Sequence, residues 1–193
     1  DNRLESGIQS RTHRSWSASN SVYSPTGIST ASITVPPFGW SQPSCSQFVG
    51  VLSWTGDATT ELSGSVHSLF RRVKITASNG QVLFDSDQYD VIAQILQDCT
   101  LTSQQQQGIL GITSLVQDDI RKLGNGVQFS FTPLISMLRS ERIIPLHMLG
   151  GFTCEFYLQD AKTCFKSAVP VSYQISSLRY NTDVLVFDQA TEE

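Results

Sequence analysis

An antiparallel β-sandwich is the fold class the sequence predicts, on three observations. After Gly27 the chain is dominated by short stretches in which apolar and polar residues alternate with period two. Turn residues separate these stretches, most clearly in Ser78-Asn79-Gly80. Strands also follow one another at both ends of the chain without intervening helices, which argues against a parallel α/β sheet. The 193 residues, 39% of them hydrophobic and 16% charged, suffice for one domain with a core that needs neither disulfide nor metal staples.

Residues 1–26 are rich in Ser, Asn, Gln and Thr, with Trp16, Val22 and Tyr23 as the main apolar exceptions; they predict a flexible polar arm ahead of a domain at 27–193. Ile28 to Val35 places Ala31, Ile33 and Val35 on one face and stops at Pro36-Pro37. Phe48 to Trp54 aligns Phe48, Gly50, Leu52 and Trp54. Arg72 to Thr76 turns Val73 and Ile75 inward, and Val82 to Phe84 returns after the Asn-Gly turn as a hairpin partner. Asp87 to Leu96 reads as a helix with Asp87 as N-cap and Val91, Ile92, Ile95 and Leu96 as its apolar stripe. A second helical stretch is predicted from Thr102 to Leu123, interrupted by Gly108 and Gly111 and ended by Gly124. The β pattern resumes through Val127, Phe129 and Phe131, then an apolar stretch from Ile143 to Leu149. The alternation Phe152, Cys154, Phe156, Leu158 follows, then Val171, Tyr173, Ile175, and a last strand from Asp183 to Asp188. Eight or nine strands with helical insertions fit a sandwich of immunoglobulin or jelly-roll type. No cysteine pair brackets a strand tryptophan at the spacing an immunoglobulin core requires, so a jelly roll is the predicted architecture.

The net charge of −4, from 13 basic and 17 acidic residues, disfavours nucleic acid as the main partner. Arg3, Arg11, His13 and Arg14 are the local exception, and a solvated tail is the simpler account of them. No apolar run approaches the roughly 18 residues of a membrane span. No signal peptide is evident, and the opening Asp1 fits a processed or trimmed piece of a longer product. Cys45, Cys99, Cys154 and Cys164 form no CxxC pair and have no histidine at metal-ligand spacing, which predicts reduced thiols.

No set of residues predicts catalysis, cofactor binding or metal binding. His13 falls in the arm, His67 in a loop or strand start, and His147 in an apolar stretch where a hydrogen-bonded structural role is expected. GxSxG, HExxH, Walker and GxGxxG signatures are missing. Asp85, Asp87 and Asp90 have a faint calcium-loop spacing, but Asp90 stands where the loop needs Gly and no Glu follows at the twelfth position. Arg71, Arg72 and Lys74 read as a solvated edge or as an anchor for an acidic neighbour at a subunit contact. Asp118, Asp119, Arg121 and Lys122 read as helix-surface pairs. Trp16, Trp40, Trp54, Tyr23 and Tyr89 would make a sugar-stacking platform if exposed together, although Trp54 is in phase with inward residues and Trp40 follows a Pro-Pro-Phe-Gly loop.

The order of five motifs carries a resemblance. Ser68-Leu69-Phe70-Arg71-Arg72-Val73-Lys74-Ile75 leads to Gly80-Gln81-Val82-Leu83-Phe84-Asp85 and Tyr89-Asp90-Val91-Ile92. Ile144-Pro145-Leu146-His147-Met148-Leu149-Gly150-Gly151-Phe152 and Tyr173-Gln174-Ile175-Ser176-Ser177-Leu178-Arg179-Tyr180 follow. The series resembles the first jelly roll of double jelly-roll major capsid proteins of icosahedral DNA viruses, virophages and polinton-like viruses included, over roughly Gly27 to Asp188. The resemblance implies a structural capsid protein of the virion, made in a host cell and without an active site. Its implied partners are copies of itself in a trimeric or pentameric capsomer and other capsid proteins, with nucleic acid contact only through the N-terminal arm. The length accommodates a single jelly roll, so a second is expected beyond Glu193 or the chain is a single jelly-roll relative. A soluble binding module for carbohydrate or a protein receptor is the alternative reading.

Overall fold

The computed structural model of the chain describes residues 8–57, 60–100 and 126–187. The stretch from Thr102 to Leu123, including Asp118, Asp119, Arg121 and Lys122, lies outside the described residues, as does Arg3. Among the described residues the strands are β1 (Ile8–Ser17), β2 (Val22–Tyr23), β3 (Thr30–Val35), β4 (Trp40–Thr55), β5 (Glu61–Leu62), β6 (Phe70–Ala77), β7 (Val82–Asp87), β8 (Val127–Phe131), β9 (Ile144–Pro145), β10 (Phe152–Leu158), β11 (Phe165–Lys166) and β12 (Ser172–Phe187). A helix, α1 (Tyr89–Thr100), follows β7.

Eight of these strands build two antiparallel sheets, in the orders β1-β12-β4-β8 and β3-β10-β6-β7. Along those eight, every connection crosses between the sheets except the hairpin from β6 to β7, which gives the jelly-roll sandwich its winding. The hairpin turns at Gly80 (φ 86°), where the Ala77 carbonyl accepts from the Gly80 N–H and the Asn79 side chain accepts from the Gln81 N–H.

Alternation sets the faces. Ala31, Ile33 and Val35 of β3, Val73 and Ile75 of β6, and Phe152, Cys154, Phe156 and Leu158 of β10 all point into the core. Phe48, Phe129, Phe131 and Tyr180 meet them from the opposite sheet. Ring centroids of Phe48 and Phe156 are 4.8 Å apart across the gap, and those of Phe70 and Phe131 are 5.0 Å apart.

Three expectations meet a different structure. The sandwich starts at Ile8, so residues 8–17, read from sequence as part of a polar arm, form an edge strand along β12, from Ile8 opposite Phe187 to Ser17 opposite Arg179. An edge strand held mainly through backbone hydrogen bonds needs no apolar alternation, and β1 has none. Secondly, the two strands expected around Tyr173 and Val184 are one, β12, which runs through an irregularity at Ser177 (φ 53°) where its register with β4 jumps from Ser176 to Arg179. Thirdly, β4 begins at Trp40 and not near Phe48. Residues 43–46 bulge opposite Thr182, which lets Pro43 sit in a strand without removing a ladder donor. The buried hydroxyls in that bulge satisfy one another: Ser41 and Ser46 Oγ lie 3.1 and 2.6 Å from Thr182 Oγ1, and the Tyr180 hydroxyl donates to Ser46 Oγ at 2.9 Å.

Gly151 (φ 83°) joins the β9 region to β10, and a Cβ there would collide with the Val35 carbonyl oxygen. Gly151→Ala should therefore lower stability by more than about 1 kcal/mol in urea unfolding, because both φ and space oppose it. Gly80→Ala, with the same sign of φ but nothing within 4 Å of the added carbon, should cost clearly less.

Candidate functional site

The residues singled out for chemistry are dispersed by the fold. His67 sits in a one-turn helix, Val66–Leu69, just before β6 and is buried. The Leu134 N–H donates to the Tyr89 hydroxyl at 3.0 Å, and the same hydroxyl is hydrogen-bonded to His67 Nδ1 at 2.8 Å. Burial first, and the Arg139 charge second, push the imidazole from its ordinary 6.5 down to about 3, so it is neutral. It joins α1 to the core and is walled off by Phe131, 5.4 Å between ring centroids.

His13 and Arg11 project from β1 onto Asp183 of β12. Asp183 Oδ2 accepts from Arg11 Nε and Nη2 at 2.9 and 2.7 Å, and Oδ1 lies 2.9 Å from His13 Nδ1. Burial raises the Asp183 carboxyl, but the His13 and Arg11 hydrogen bonds outweigh it and hold the group below its usual range. Sequence reading found the two cations and missed their partner, which is 172 residues away from Arg11. His147 is exposed, with Nδ1 3.5 Å from the Gly39 carbonyl and its ring 5.0 Å from that of Trp40.

The aspartates do not converge. Asp85 takes a two-pronged hydrogen bond from Arg72 (2.8 and 2.6 Å), which holds its carboxyl below the ordinary range. Asp87 lies 3.9 Å from Arg71, and Asp90 accepts from the Gln159 side chain at 3.0 Å. Asp87 also does not cap α1, because it ends β7. The Gln88 carbonyl (φ 66°) accepts the first helical bond, from the Ile92 N–H. Of the anchor readings for the basic group, the acidic neighbours lie within the chain: Lys74 Nζ is 3.9 Å from Glu155, and Arg72 also stacks over Tyr157.

The aromatic set forms no open platform. Tyr23, Tyr89 and Trp54 are buried, and Trp16 packs beside Tyr180 at 6.0 Å. Trp40 opens β4 and is flanked by His147 and Phe187 instead of standing in a loop. All four cysteines are unpaired, Cys154 and Cys164 buried and Cys45 and Cys99 exposed. A groove of about 340 Å³ is lined by hydroxyls of Ser24, Thr26, Ser53, Thr55 and Ser172 beside Gln174, and its lining has no carboxylate, imidazole, thiol or amine. Such a surface can accept and donate hydrogen bonds but supplies no acid, base or nucleophile. Among the described residues, no helix is long and apolar enough to cross a membrane.

The fold also leaves apolar side chains exposed. On α1 the buried stripe is Tyr89, Ala93 and Gln97, while Val91, Ile92 and Ile95, predicted from their spacing to be the helix's packing stripe, face out.

No family model matches the sequence, and no curated protein matches it. Solved structures do match. The crystal structure of PBCV-1 VP54 fitted into a cryo-EM reconstruction of the virophage Sputnik aligns with a TM-score of 0.56 at 12% identity, covering 98% of this chain and 45% of that one. The mavirus major capsid protein aligns with a TM-score of 0.51 at 11% identity, covering 94% of this chain and 47% of that one. The chain has the jelly-roll fold of these capsid proteins. It spans about half the length of each, and the likeness agrees with the resemblance read from the motifs.

Two outcomes follow from the buried imidazole and the edge-strand clamp. Below pH 6.5 the unfolded chain protonates His67 and the folded chain does not. Stability should therefore fall as pH drops from about 6.5 toward about 3, with a limiting slope of about 1.4 kcal/mol per pH unit, and His67→Gln should flatten the part of the curve above the carboxylate range. Asp183→Asn should cost about 1 kcal/mol and speed amide exchange selectively in β1, read by hydrogen–deuterium exchange.

Proposed function

We propose that this chain is a structural subunit of an icosahedral virus shell, acting by repeated self-association and not by catalysis. The observation that carries this reading is the jelly-roll winding itself, which aligns over nearly the whole chain with PBCV-1 VP54 and the mavirus major capsid protein at TM-scores of 0.56 and 0.51. The arrangement of side chains supports it. The interior is a stiff aromatic layer, the reactive groups are dispersed, and the helical insertion carries an outward apolar face.

In this reading the partners are further copies of the chain in a trimeric or pentameric capsomer, together with other capsid proteins, and the place of action is the virion. Contact with nucleic acid falls to the N-terminal segment that carries Arg3, Arg11, His13 and Arg14, and the charge balance makes it secondary.

Purified protein viewed by negative-stain electron microscopy should form regular capsomers or closed shells. A uniform monomer that binds a glycan array or a receptor panel would instead support the binding-module reading.

A further inference from the structure

The strand order gives the sandwich two unlike flanks. The end of β1 lies on one side with β3, as the Ser19 N–H bond to the Ser32 carbonyl (3.0 Å) marks where the chain passes from one to the other. The opposite edges of the two sheets are therefore β7 and β8, and α1 belongs to that second flank through Tyr89, which reaches both His67 and Leu134.

The two flanks differ in charge along β1 and along β7 and α1, with Arg139, beside Leu96 and Leu134, as a cation on the second flank. Residues 82–100, covering β7 and α1, hold Asp85, Asp87, Asp90 and Asp98 and no Lys, Arg or His. Residues 8–29, covering β1 and its passage to β3, hold Arg11, His13 and Arg14 and no Asp or Glu. Intrachain pairs with Arg72, Arg71 and Asp183 neutralise part of this, but Asp90 and Asp98 take side-chain amides of Gln159 and Gln94, and Arg14 stacks over Phe38 at 5.6 Å. Each flank also has an apolar centre. Val91, Ile92 and Ile95 are 50%, 45% and 55% exposed on α1, and Val22 and Ile28 are 42% and 49% exposed on the other side.

We infer that the α1–β7 flank of one copy docks on the β1 flank of the next, a heterologous contact between copies of this chain. The inference rests on the capsid-subunit reading and names the surface that reading needs. Opposite sides of one molecule that match in apolar content and differ in charge favour head-to-tail association, which closes into rings when the rotation permits. An isologous contact of α1 with α1 would instead set aspartates against aspartates.

Sedimentation velocity over a concentration series tests this. The double variant Ile92→Asp/Ile95→Asp and the double variant Arg14→Asp/Ile28→Asp alter exposed side chains on different flanks. Each should weaken self-association at least about tenfold while leaving the circular dichroism unchanged. An equimolar mixture of the two should recover association but stop at the dimer, because only one intact interface can form. The wild-type chain provides a second measurement: Cys99 ends α1 and Cys45 lies 3.6 Å from Arg11 Nη2, so a bismaleimide should join Cys99 of one copy to Cys45 of another. Cross-links confined to Cys99–Cys99, or full self-association of the β1-flank variant, would overturn the inference. So would a wild-type chain that stays monomeric alone and sediments as a complex only with another virion protein. Shells that still form from both double variants would sink this surface and leave the capsid reading standing, whereas absence of any wild-type assembly would sink both.

Discussion

The faces of the two sheets meet through side chains, and here the contact is aromatic. Phe48 lies 4.8 Å from Phe156 and Phe152 lies 6.1 Å from Tyr180, while Phe131 lies 5.0 Å from Phe70 and 5.9 Å from Phe156. Edge-on and tilted rings at these separations add roughly 0.5–1.5 kcal/mol per pair beyond area burial. They also fix the spacing of the sheets more tightly than aliphatic chains would, since a ring has few rotamers. Every connection that crosses between sheets depends on that spacing, including the passages at Gly39 and Gly151, where a Cβ would meet backbone oxygen.

The polar groups enclosed with that layer are arranged for rigidity. Ser41, Ser46, Thr182 and Tyr180 satisfy one another inside the β4 bulge, and His67, Tyr89 and the Leu134 amide do so beneath α1. A complete network of this kind specifies one packing, because any slip leaves a buried group unpaired. The bulge therefore fixes how the first half of β4 meets β12, and the His67 network fixes where α1 leaves the sandwich.

How much of this was readable in the sequence follows from how each element is held. Strands buried on one face, such as β3, β6 and β10, display their alternation, and the hairpin displays its Asn-Gly turn. β1 displays nothing: its residues are mostly polar, and the partner that orders Arg11 and His13 is Asp183 near the other end of the chain. The start of β4 was hidden by Pro43 and a run of polar residues that only the bulge accommodates. For α1 the existence of a helix was legible and its orientation was not. The periodic stripe of Val91, Ile92 and Ile95 marks a face that seeks burial, and periodicity cannot say whether that burial comes from the same fold or from another molecule. Tyr89, Ala93 and Gln97, the stripe that turned inward, is held by hydrogen bonds to His67 and Ser65 as much as by apolar area.

Burial also sets the protonation of the interior groups. Active sites combine desolvation with a charged partner and a route for substrate, so that a buried group is both perturbed and reachable. Here burial is the leading cause that lowers His67 and raises Tyr89, Tyr173, Cys154 and Cys164. Those shifts make the interior groups neutral and inert. The charged side chains meanwhile sit at the edges, where Arg72 clamps β7 to β6 and Asp183 clamps β1 to β12. Paired charge of this kind secures an edge strand without adding net charge to it. The sandwich is thus held by aromatic packing within and by charge pairs along its edges.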